Sequence, residues 1–113
     1  MTSKESTSVT FFYSGETCLG FRAQGHAGNA PQGENIVCAA VSAILQTAYL
    51  GLTEVASLQP QWRADEETAL MECIIHENTQ ADIILRTARV GIAAIARQHP
   101  HIVKLSKEEY KNV

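Results

Sequence analysis

Leu19–Leu50 reads LGFRAQGHAGNAPQGENIVCAAVSAILQTAYL, and its passage from strand to loop to helix decides the fold. Leu19, Phe21 and Ala23 alternate with Gly20, Arg22 and Gln24, the period of a half-buried strand. The next ten residues, HAGNAPQGEN over 26–35, hold two Gly, two Asn and one Pro. No apolar period fits them, which predicts a mobile loop. Asn35 then stands at an N-cap, directly before Ile36. From there Val37, Val41, Ile44, Leu45 and Ala48 recur at helical spacing. Ile36, Ala40, Ala43 and Leu50 keep the opposite side apolar too, so the helix is expected to be buried on most of its surface. Gly51 marks its end or a kink.

Upstream of this stretch, Val9, Phe11 and Tyr13 share one face and Ser14-Gly15-Glu16 is a turn signal. Residues 8–25 therefore predict a β-hairpin, while residues 1–8 are polar and read as a loose segment. Downstream of Pro60, Trp62-Arg63-Ala64 leads to a turn at Asp65-Glu66-Glu67. Ala69, Met71, Cys73 and Ile75 then alternate as a second hairpin. Asn78 or Thr79 caps a helix over 80–98, with Ile84, Ala88, Gly91, Ile92 and Ile95 as its apolar stripe. His99-Pro100 stops it, and Ile102–Leu105 is a short last strand. The order ββαββαβ predicts an α+β fold, with two helices packed on a mostly antiparallel sheet.

With 113 residues, 45% of them hydrophobic and 19% charged, the chain suits one domain spanning 1–113 and is too apolar for disorder. A domain of this size has a modest core, for which a second copy is useful support. Gln46, Arg86, Arg89 and Arg97 interrupt the apolar runs short of the ~20 residues that span a bilayer. The start, MTSKESTS, has no apolar stretch of the signal-peptide kind. The expectation is a cytoplasmic protein without membrane contact. A net charge of −3 and a pI near 5.7 offer no basic footprint for nucleic acid. Cys18, Cys38 and Cys73 are odd in number and form no C-x-x-C, which argues against a disulfide framework or a zinc site.

The chemistry lies around the loop. Gly25-His26 ends the second strand, and Cys38 falls in the first turn of the helix if Asn35 caps it. A thiol there meets unpaired N–H groups and the positive end of the dipole, which favour its ionised, nucleophilic form. A helix folded back on the sheet brings Cys38 toward His26, the pairing of a cysteine nucleophile with its base. The plainer reading is a small core thiol in an apolar helix and a histidine at a strand end. Cys18 and Cys73 read as packing residues, and His76, His99 and His101 as solvated element ends. Trp62 reads as core or dimer surface.

Gly25-His26-Ala27, followed by Ile36-Val37-Cys38-Ala39 and Ser42 one turn later, resembles the ribosomal-processing cysteine protease Prp family. That family has a strand ending in Gly-His-Ala, a short loop, and Asp-Ile-Val-Cys-Ala-x-x-Ser opening a long helix. The resemblance implies Cys38 as nucleophile and His26 as general base. Gly25 would let a substrate backbone approach, and Ser42 would support the site. It also implies a cytosolic homodimer with no metal or organic cofactor. Its substrate would be the precursor of a large-subunit ribosomal protein (ribosomal protein twenty-seven), cut after a pair of aromatic residues. Position 35 departs from the pattern: Asn35 can still cap but lacks the charge of the family's Asp. Two other classes remain open from the residues, a non-catalytic peptide-binding or ribosome-assembly module and another thiol hydrolase.

Overall fold

A computed structural model describes residues 6–25 and 32–110, the side chains of 32–35 excepted. Thr7–Ser14 (β1) and Thr17–Gly25 (β2) pair as an antiparallel hairpin. Gly15 makes its turn at φ +62°, a left-handed conformation that costs other residues roughly 1–2 kcal/mol. Then follow Gln32–Leu50 (α1), one π-helical turn at Gly51–Val55, Gln61–Asp65 (β3), Leu70–Ile74 (β4), Thr79–Gln98 (α2) and Val103–Glu109 (β5). The order is the expected ββαββαβ. Asn78 caps α2 as read, its side chain accepting from the Ala81 N–H at 2.9 Å.

The strands form one sheet in the order β3-β4-β2-β1-β5. Three pairs are antiparallel, and β5 runs parallel to β1. The parallel pair follows from connectivity: α2 carries the chain from β4 across β2 and β1, and such a crossover returns a strand in the same direction. Pairing with β1 also draws the last strand out to Glu109, beyond the expected Leu105. Thr7, read as part of a loose start, belongs to β1 and pairs with Gly25, one residue before the expected start of the hairpin at Ser8. Both α1 and α2 cover one face, where Val9, Phe11, Phe21, Leu45, Leu52, Cys73, Leu85 and Ile92 form the core.

Two sequence expectations are corrected inside β2 and α1. A bulge lies between the pairs Phe12↔Gly20 and Tyr13↔Cys18. It shifts the face, so Cys18 enters the core cluster and Leu19 stays outside it. In α1 the outward side is exposed: Ile36 and Leu50 are 63% and 52% accessible, and Ala40, Ala43 and Thr47 are exposed with them. The helix is thus half-covered: Val37, Val41, Ile44, Leu45, Ala48 and Tyr49 pack into or against the core, and the outward side does not. Gln46 does not shorten the apolar run either; Ile36–Val55 is long and apolar enough, by length and composition, to cross a membrane. The inward half of that run forms the core with the sheet.

Gly20 admits no side chain, since a Cβ there would run into the Cys73 carbonyl oxygen of the adjacent strand. Cys73 itself is sealed, and burial pushes its thiol up to about 12. Burial raises Cys18 and Tyr13 as well. The folded state holds Cys73 protonated, so its contribution is complete below the ordinary thiol value of 9.0 and is lost as pH climbs toward 12. That loss is at most about 4 kcal/mol. Melting temperature is expected to fall over this interval, and Cys73→Ala to flatten the fall. An equal slope in both proteins would refute the assignment.

Candidate active site

Between α1 and the β3–β4 hairpin lies a cleft of about 390 Å³. One wall is a line on α1, Cys38, Ser42 and Gln46, spaced by four so that they stack on one helix face. Gln46 donates to the Ser42 hydroxyl at 2.8 Å, which ties the lower part of this wall together. The opposite wall carries Trp62, Ala64, Leu70 and Met71 from the hairpin, and Thr7, Ala23, Gln24 and Gly25 close the end. Trp62 is steadied by Tyr49 of α1, ring centroids 4.4 Å apart. Asp65 and Glu66 stand on the lining at the β3–β4 turn, leaving it apolar in the middle and acidic at that side.

Cys38 is 9% exposed, and its Sγ lies 3.1 Å from the Thr7 hydroxyl. It is a free thiol, as are Cys18 and Cys73, but only Cys38 of the three lines the cleft. The expected reason for its reactivity is corrected, however. Helix α1 begins at Gln32, one turn earlier than read, so Asn35 lies within the helix and does not cap it. Cys38 is then the seventh helical residue, past the first turn where the dipole and free N–H groups act. The start signal was present in the chain: Pro31 precedes Gln32 and Glu34 follows, both favoured at helix N-termini.

Gly25, the last residue of β2, has φ +120°, and a Cβ there would run into the Ser6 carbonyl oxygen. Its need for glycine therefore comes from the chain's own backbone at Ser6, just before the β1 residue Thr7 that Gly25 faces in the register. His26 follows Gly25 in sequence and lies outside the described residues. His76, His99 and His101 do not line the cleft. Gly25, Cys38 and Ser42 all line the cleft. Thr7 and Trp62 are among the lining residues that escaped the reading. Thr7 belonged to a polar start, although it continues the inward series Val9, Phe11, Tyr13. Trp62 stood without a site because nothing local marks which face of an edge strand meets a helix.

Among the described residues no three His, Cys, Asp or Glu side chains gather as a metal site would require. The family model described as cysteine protease Prp matches residues 6–104. No curated protein shows a matching sequence. Among solved structures, SMU.848 from Streptococcus mutans superposes with a TM-score of 0.85 at 21% identity, over 94% of this chain and 97% of that one. The essential ribosomal processing protease Prp from S. aureus, in complex with a substrate peptide, gives 0.79 at 21% identity over 89% and 98%. The same S. aureus protease with a covalently linked product peptide gives 0.79 at 23%, again over 89% and 98%.

Proposed function

The chain belongs to the cysteine protease Prp family, and from that premise we propose that it removes the N-terminal extension of a large-subunit ribosomal protein, ribosomal protein twenty-seven. The observation that carries this is a free thiol, Cys38, on the wall of a cleft that ends at Gly25, the residue before His26. In the proposed reaction the Cys38 thiolate attacks the scissile carbonyl carbon and a thioester forms as the C–N bond breaks. His26, having taken the thiol proton, returns it to the leaving amine. Water then hydrolyses the thioester and restores the thiol. Val41, Leu45, Trp62, Leu70 and Met71 suit large apolar side chains before the cut. The S. aureus neighbour was solved with a substrate peptide, in keeping with a peptide ligand here.

The test is mass spectrometry of the extended ribosomal protein after mixing with the enzyme. Two fragments are expected. A complex without fragments would mean a binding module, and turnover confined to small amides or thioesters would mean a different thiol hydrolase.

A homodimer in the cytoplasm, without nucleic-acid or membrane contact, completes the proposal. The outward sides of α1 and α2 are suited to the second copy: Ile36, Leu50, Ile83 and Val90 are each more than half exposed, and residues 36–53 carry no charge. Two helices roughly 28–30 Å long, side by side, offer a face of the order of the ~800 Å² each partner of a stable dimer buries. Leu50→Glu with Val90→Glu is expected to yield a monomer by analytical ultracentrifugation. A dimer that persists would move the interface elsewhere.

A further inference from the structure

We propose that Thr7 is a positioning residue for the nucleophile, its hydroxyl holding the Cys38 sulfur in the cleft. The inference rests on Cys38 being the nucleophile and adds a residue that neither the motif nor the family pattern marks. Thr7 Oγ1 is 3.1 Å from Sγ, and among the described residues Sγ has no other hydrogen-bond partner. Thr7 is the first residue of β1, and its backbone is fastened on both sides. Its N–H donates to the Ile102 carbonyl at 2.7 Å, and it pairs with Val103 on one side and Gly25 on the other. The glycine is what lets this end of β1 come close. A β-branched side chain on a fixed backbone has little χ1 freedom, so the hydroxyl is preset rather than recruited.

The chemistry gives the contact a direction. A thiolate can only accept, so in the reactive form Thr7 donates its O–H to the sulfur. A hydrogen bond made to the charged form favours that form. Since Cys38 lies beyond the first helical turn, this hydroxyl supplies stabilisation that the helix end does not. Thr7 keeps its proton throughout; the thiol proton goes to the base.

The experiment compares wild type, Thr7→Val and Thr7→Ser by the pH dependence of iodoacetamide labelling at Cys38, read by peptide mapping, alongside kcat and KM on one peptide. Valine keeps the shape and removes the hydroxyl, and it suits a strand. Thr7→Val is expected to slow labelling at neutral pH roughly tenfold and to lower kcat with KM little changed. Thr7→Ser is expected to restore both readouts. Should Thr7→Val not fold, Thr7→Ala gives the same comparison. Labelling in Thr7→Val that follows the wild-type profile, or Thr7→Ser as impaired as Thr7→Val, would overturn the proposal. Labelling needs no turnover, so failure here is separate from failure of the nucleophile, which would appear as cleavage surviving in Cys38→Ser.

Discussion

Cys38→Ser is expected to abolish peptide cleavage, lowering turnover by at least about a thousandfold, while the protein keeps its fold. Serine differs from cysteine at this position by one atom, and the Thr7 hydroxyl that lies 3.1 Å from Sγ can hydrogen-bond a serine hydroxyl as well. The change therefore leaves the cleft wall intact and removes only the polarisable, readily ionised sulfur. A serine hydroxyl in its place has no comparable anionic form near neutral pH. His26→Ala is expected to act on the same step, and the double variant to be no worse than either single one, because the two groups work as a unit. Circular dichroism and melting temperature close to wild type would confirm that fold and chemistry have been separated. Turnover above a few per cent in Cys38→Ser would remove Cys38 from the reaction.

The second large effect is on stability. Phe21→Ala is expected to cost about 3–5 kcal/mol, because it empties a fully buried site in the core between the sheet and the helical layer. Phe21 lies on the second strand from the hairpin turn, opposite Phe11 across β1–β2 and opposite Cys73 across β2–β4. Its ring meets that of Phe11 at a centroid distance of 6.0 Å, within the range of favourable aromatic pairs. At roughly 4 °C per kcal/mol for a domain of this size, the melting temperature should fall by about 10–20 °C. A drop of only a few degrees would mean that the core relaxes around the loss.

Much of this was legible in the chain because hydrophobic period is a strong signal. Val9, Phe11 and Tyr13 at period two, and Ala88, Ile92 and Ile95 at helical spacing, placed both layers. Asn78 marked the start of α2 by its cap chemistry. What failed has local causes. The bulge at Leu19 adds one residue to a strand, and no composition marks it. The early start of α1 was hidden by Gly33 and Asn35, which are rich in turns yet tolerated in a first helical turn that ends in packing. The half-exposed α1 looked fully buried because an apolar residue awaiting a partner and one already in a core read alike. In the site, Gly25, Cys38 and Ser42 were legible through the motif. Thr7 was not, since its contact spans 31 residues of sequence and depends on pairing with β2 and β5.

The labelling chemistry of the three thiols also follows from their surroundings. Cys18 and Cys73 are 1% and 0% exposed, and burial holds both in the protonated form. Cys38 alone opens on the cleft. An acyl group delivered by a peptide substrate therefore has one thiol to reach. The most direct measurement is peptide mapping by mass spectrometry after the enzyme has been quenched in acid during turnover of a peptide bearing the proposed cut. The expected result is a thioester on the Cys38 peptide, with the mass of the fragment before the cut, absent in Cys38→Ser. Cleavage proceeding with no adduct on Cys38, or with the adduct on Cys18 or Cys73, would contradict the assignment of Cys38 as the nucleophile.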